Sequence, residues 1–161
     1  MALVADDIRT AAVAGMLLLQ GCAYHQTGLV ETGPRGTLLV ESDGKTVALV
    51  LGEEASPVKH LGGHLVDVRG QRFLRNVRVG DWRVPEGLHG MAAWVGPLTP
   101  MGSQLGVQDR NSGAFYLVDA EAESALRAHA GQSVLLEGYV DGPHRIKVLY
   151  YRVLATASTD G

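Results

Sequence analysis

Residues 47–70 repeat in weakened form at residues 115–138, and this internal repeat constrains the fold more than any other feature of the chain. At a constant offset of 68, Leu49, Val50, Glu53, Ser56, Gly63, Val66 and Gly70 recur as Leu117, Val118, Glu121, Ser124, Gly131, Val134 and Gly138. Conservative pairs fill the gaps: Val58-Lys59 faces Leu126-Arg127, and Val68 faces Leu136. After one inserted residue, Val79, Trp82, Arg83 and Val84 align with Val148, Tyr151, Arg152 and Val153. In 161 residues, two such copies must be very small domains. Each buries little apolar surface alone, so the two are expected to pack together.

Within each copy the local pattern is that of short strands. The runs Val47-Ala48-Leu49-Val50-Leu51, Leu65-Val66-Asp67-Val68-Arg69 and Val134-Leu135-Leu136-Glu137 read as strands by their short, Val- and Leu-rich make-up, with apolar and polar residues alternating from Val66 to Arg69. The 21 glycines, with turn pairs such as Asp43-Gly44, Ser112-Gly113 and Asp141-Gly142, supply the punctuation that closely spaced strands require. One helix is predicted over Ala120 to Ala130. Asp119 stands at its N-cap, and Glu121 and Glu123 lie near the positive end of its dipole.

The second copy therefore reads as three strands (Trp94-Val95-Gly96, Gln104 to Val107, Ala114 to Val118), a helix, and two further strands (Val134 to Val140, Arg145 to Leu154). This order resembles the OB-fold, a small, partly open Greek-key barrel. The resemblance covers about residues 28 to 154 as two tandem copies. In the first copy a shorter segment, Ser56 to Leu61 with Pro57 inside it, stands where the helix would be. The expected fold is all-β with one short helix, two tandem OB-like five-stranded barrels spanning 29–85 and 91–154, and the alternative is a single β-sandwich of about ten strands. The barrel reading places Val47, Leu49, Val66 and Val68 inside the first unit and Phe115, Leu117, Val134 and Leu136 inside the second. Trp82 and Trp94 bracket the connector Pro85 to Gly90, and at least one of them is expected between the units.

The amino-terminal stretch decides the expected compartment. Ala11 to Leu19, AAVAGMLLL, is apolar and nine residues long, which suits the apolar core of a signal peptide and is too short to span a bilayer. It runs straight into Leu19-Gln20-Gly21-Cys22, which resembles the lipobox of bacterial lipoproteins. The resemblance implies a diacylglyceryl thioether on Cys22, cleavage just before it, and acylation of the new amino terminus. A thiol suits that chemistry because its thiolate is a strong nucleophile. Cys22 is also the chain's only cysteine, so it has no disulfide partner within the chain. Upstream, Asp6 and Asp7 outnumber Arg9, against the positive flank that export signals carry; a start at or near Ile8 would leave Arg9 alone. Residues 1–21 are thus expected as a signal peptide and 22–28 as a polar, lipidated tether. Ala23 after the cysteine implies, by the enterobacterial pattern, the periplasmic face of the outer membrane in a bacterial cell envelope.

The formal charge of −3 becomes −2 when Asp6, Asp7 and Arg9 leave with the leader, which offers polyanions no global attraction. With aromatic residues at only 6%, stacking partners for single-stranded nucleic acid are sparse too. No Gly-x-Ser-x-Gly elbow, phosphate loop or His-Glu-x-x-His zinc helix is present. His60 and His64 have the spacing of two ligands on a helix, but Leu61-Gly62-Gly63 between them breaks one, so they read as surface or turn histidines. No catalytic residue, metal or cofactor is therefore expected. The candidate ligand-binding set is Arg69, Arg72, Phe73, Arg75, Arg78, Trp82 and Arg83, along strands four and five of the first unit. The plain alternative is a solvated strand face with charges that guard an edge. The chain reads as a noncatalytic envelope lipoprotein, held on the membrane by its lipid, whose barrels bind an envelope protein or glycan. The competing reading is an OB-type binder of oligosaccharide or single-stranded nucleic acid.

Overall fold

The computed structural model describes residues 21–155, so all but the last residue of the stretch expected as a signal peptide, with its apolar run 11–19, lies outside the described residues. Ten strands form two closed barrels. In the first, β1 (Cys22–Gly33), β2 (Gly36–Glu41), β3 (Thr46–Val50), β4 (Leu65–Phe73) and β5 (Asn76–Arg83) close in the order β1-β2-β3-β5-β4. The second repeats that ring with β6 (Ala92–Met101), β7 (Gln104–Gln108), β8 (Phe115–Val118), β9 (Ser133–Val140) and β10 (Arg145–Ala155). Pairing is antiparallel except for β3 with β5 and β8 with β10, which close each ring in parallel. This is the strand order of two tandem OB-type barrels, and two separate rings exclude the single sandwich.

The repeat is a structural repeat. Gly63 N donates to Val30 O (2.9 Å) and Val30 N to His64 O (3.0 Å). Sixty-eight residues on, Gly131 N donates to Leu98 O (2.8 Å) and Leu98 N to Gln132 O (2.9 Å). The helix after β8 runs over Ala120–Leu126 and ends in a 3-10 turn, Arg127–His129, which together fill the segment expected as one helix. Asp119 caps it as expected, accepting from Glu121 N and Ala122 N. In the first barrel the counterpart is a 3-10 helix, Glu53–His60, that holds Pro57. Val58 and Leu126, equivalent in the repeat, are both fully buried in their cores.

Two expectations are corrected. Val47, Leu49, Val66 and Val68 do fill the first barrel and Val134 and Leu136 the second, but Phe115 and Leu117 are only half-buried, while Tyr116 and Val118 pack on the core. The cause is one extra residue in a turn. Glu41 N donates to Lys45 O to close its turn, whereas its counterpart Asp109 N donates to Ala114 O, so the offset becomes 69 in the third strand. A slip of one residue turns every side chain of a strand to the other face. The second correction concerns 22–28: these residues are not a tether but the first half of β1, paired with β4 from Cys22 opposite Arg72 to Gly28 opposite Val66. Their polar look arises because most of them face outward, with only Tyr24 and Gly28 buried.

The barrels share a core. Val95, Leu135 and Leu154 of the second barrel join the apolar cluster of the first, beside Leu61, Trp82 and Val84. Trp82 fulfils the expectation of a tryptophan at the seam, and Arg110 of the second barrel lies 5.0 Å over its ring. Trp94 instead sits in the core of the second barrel, 5.9 Å from Tyr116. Around the apolar seam, Arg152 donates to His60 O and Gly62 O, and Asn111 donates to Val84 O.

Candidate functional site

Cys22 stands exposed, with a free thiol, at the first residue of β1. Its neighbours are set by the strand register: Arg72 lies opposite, and Gly21 packs so closely on Phe73 that a Cβ there would come within 2.7 Å of the ring. The start of the fold is therefore bound to the β4–β5 hairpin. Two residues on, Tyr24 is buried and donates its phenol hydrogen to Glu41 Oε1 at 2.7 Å. Burial, then the Glu41 hydrogen bond, pushes that phenol far above its ordinary value, so it remains a donor at any physiological pH.

The structure divides the seven predicted ligand-binding residues. Arg83 Nε donates to Asp67 Oδ2 at 2.7 Å, and His25 Nε2 lies 2.7 Å from Asp67 Oδ1, so Arg83 serves the neutralisation of a buried carboxylate. Trp82 is buried and donates to Glu54 O at 3.2 Å, which removes it from any ligand-stacking role. Arg69 is exposed opposite Asp81 across the β4–β5 ladder. Arg72, Phe73, Arg75 and Arg78 gather at the tip of the hairpin: Arg72 over Tyr24 and Arg78 over Phe73, each 5.9 Å from the ring centre. The run is thus a structural pair, a seam residue and a hairpin cluster, not one pocket.

A surface absent from the sequence reading lies on the second barrel. Pro100, Met101, Gln104, Phe115, Leu117 and His144 line an open, mainly apolar groove of about 720 Å³. It occupies the second and third strands of the barrel with the turns β6–β7 and β9–β10, the face that OB-type barrels use for ligands. The equivalent recess of the first barrel, about 390 Å³, carries Glu31, Arg35, Leu38, Thr46, Ala48 and Arg75. One fold thus presents an apolar and a charged version of the same face. Phe115 and Leu117 could have signalled the groove only if the shifted offset had been known.

His64 corrects the surface reading of the histidines, because it is buried at the seam with Nε2 2.6 Å from Glu137 Oε1. The second carboxylate oxygen accepts from Leu88 N in the connector at 3.1 Å. A recess of about 280 Å³ between His64 and the connector residues Glu86 to Gly90 lies over this pair. His60, four residues earlier, is held below its ordinary value by burial and by the cations Lys59 and Arg152, so it is a neutral imidazole near pH 7. Among the described residues no three His, Cys, Asp or Glu side chains group as metal ligands, and no helix is long and apolar enough to cross a membrane.

Fold and surfaces together define a tandem OB-type barrel protein with open faces on both units. No protein-family model matches the chain, and no curated protein sequence matches it either.

Proposed function

We propose that the protein is a noncatalytic lipoprotein of the bacterial envelope, anchored through acylated Cys22, whose two barrels form one rigid binding module. The observation that carries this reading is the place of Cys22 at the first residue of the first barrel, exposed, directly after Leu19-Gln20-Gly21. Cleavage before Cys22 removes no residue from the ten strands, and the thiol stands free for thioether formation. Acyl chains at about 0.8 kcal/mol for each buried methylene hold a protein on a bilayer without further contacts when two or more are present. The periplasmic face of the outer membrane follows from Ala23 by the enterobacterial pattern. The groove at Met101, Phe115 and Leu117 is the docking face, and its apolar lining suits an extended, apolar segment of an envelope protein.

Mass spectrometry of the mature amino terminus tests the anchor. A diacylglyceryl-modified Cys22 as first residue, with Cys22→Ser protein retained in uncleaved form, is the expected result. A chain of native length carrying a free thiol overturns it. A second reading, an anionic oligosaccharide at the first barrel, draws support from Arg35 and Arg75 in its recess. Retention on heparin that falls steeply with salt and is lost in Arg35→Glu/Arg75→Glu would favour this second reading.

A further inference from the structure

We propose that the tip of the β4–β5 hairpin, Arg72 to Arg75 with Arg78, is a membrane contact that binds the headgroups of anionic phospholipid. The inference rests on the proposed anchoring at Cys22 and specifies which face of the barrel the anchor presents to the bilayer. Leu74 is 94% exposed, the most exposed large apolar side chain among the described residues, and its φ is +56°. Leucine seldom adopts this left-handed conformation, and at an open hairpin tip glycine or asparagine would serve the fold better. Folding gains nothing from an apolar side chain held strained in water. A lipid surface gives it something to bury against.

The charges around it fit the same partner. Arg83 and Arg110 have carboxylate partners, but among the described residues Arg72, Arg75 and Arg78 have none within 4.0 Å. The nearby acids are occupied: Glu41 by the Tyr24 phenol and Asp43 by Lys45. Arg72 donates Nε to Leu74 O at 3.1 Å, which draws its guanidinium toward the tip, and Arg78 lies over Phe73. Three unpaired guanidinium groups around one exposed leucine match a layer of phosphates over hydrocarbon.

Position supplies the last argument. Cys22 lies directly opposite Arg72, and Leu74 follows two residues later, in the turn just past the end of β4. With strands about 4.8 Å apart and about 3.3 Å per residue, the backbone positions of Cys22 and Leu74 are separated by roughly 10 Å. Because β1 begins at Cys22, no spacer lets the barrel swing away. A lipid inserted at the sulfur brings Leu74 to the boundary of headgroups and acyl chains.

The test uses a chain beginning at Gly21, which holds all ten strands, with Cys22→Ser so that no anchor contributes. It is sedimented with vesicles of phosphatidylglycerol or of phosphatidylcholine. The expected result is binding to phosphatidylglycerol at millimolar lipid, weaker by tenfold or more on phosphatidylcholine. Arg72→Glu and Arg78→Glu should each lower it about fivefold or more. Leu74→Gly separates docking from folding: relief of the positive φ should raise the melting temperature while binding falls. Equal sedimentation with both lipids, or a Leu74→Gly chain that binds as well as its parent, overturns the proposal. A free Cys22 thiol in the mature protein sinks the anchor instead, so the two failures are told apart.

Discussion

His64 Nε2 and Glu137 Oε1 meet at 2.6 Å with both side chains at 0% exposure, and they join the two barrels across 73 residues of sequence. Glu137 lies on β9, and His64 ends the turn that leads into β4. The second Glu137 oxygen holds Leu88 N, so one carboxylate fastens both barrels and the connector between them. Gly87 lets the connector come this close, since a Cβ there would stand 3.0 Å from Glu137 Cγ and Cδ.

Breaking this pair on one side should cost more than deleting it. His64→Leu or Glu137→Leu alone leaves a polar partner buried without its bond, a loss of about 3–5 kcal/mol for a buried pair. His64→Leu/Glu137→Leu together should recover much of that, remaining about 1 kcal/mol low because Leu88 N loses its acceptor. Urea unfolding of the four proteins gives the cycle directly. Additive losses in the double variant would show that the two residues act separately.

Close backbone approach explains why Gly70 and Gly138 are identical in the repeat. A Cβ at Gly138 would lie 1.9 Å from Lys147 O and one at Gly70 2.0 Å from Arg78 O, at equivalent places in the two barrels. Both sit beside irregularities in the fourth and fifth strands, where the barrel bends to close. Gly138→Ala is therefore expected to destabilise by about 3 kcal/mol, at the upper end for overpacking. Gly33→Ala, with nothing within 4 Å, should change stability by less than about 0.5 kcal/mol. Thermal melts of both variants check the contrast.

Asp119 predicts a stability that depends on acid. Its carboxylate caps the helix through Glu121 N and Ala122 N, and it also accepts from Val148 N on β10 at 2.8 Å. Burial pushes its pKa up, but the backbone donors and Lys147 outweigh that and hold it below the ordinary aspartate value. A carboxylate depressed in the folded state contributes fully above its unfolded pKa of about 3.9 and loses the contribution as pH falls through the folded value. Asp119→Ala should cost about 2 kcal/mol at pH 7 and distinctly less near pH 2. Equal losses at the two pH values would remove the charge from the explanation.

The parts of the fold visible in the sequence were those set by short-range periodicity: the strands, the Asp119 cap and the paired glycines of the repeat. What depended on counting across turns was less secure. One added residue between Asp109 and Ala114 moved Phe115 and Leu117 out of the core and into the groove wall. Polar Cys22 to Gly28 looked like a tether because strand pairing with β4 leaves no local mark. His64 and Glu137 were hidden for the same reason, although one sign was there: Val134-Leu135-Leu136 does not alternate, because β9 is buried on both faces. Among the arginines, sequence could group them but not tell Arg83, bound to Asp67, from Arg72 and Arg78, which have no such partner among the described residues.

Leu135 provides the sharpest test of whether the barrels fold as one unit. It belongs to β9 of the second barrel, is fully buried, and packs in the apolar cluster of the first. Leu135→Ala should cost about 2–5 kcal/mol through lost burial and the cavity left behind. The loss acts on a seam that also holds His64–Glu137 and the Arg110–Trp82 stack, so neither barrel can open without surrendering contacts to the other. Two probes distinguish shared from separate cores: fluorescence of Trp82 in a Trp94→Phe background and of Trp94 in a Trp82→Phe background. Coincident urea midpoints, shifted together by Leu135→Ala, are expected of one cooperative unit. If Leu135→Ala lowered only the Trp94 midpoint, the apolar seam would not couple the barrels, and each ring would be stable by itself.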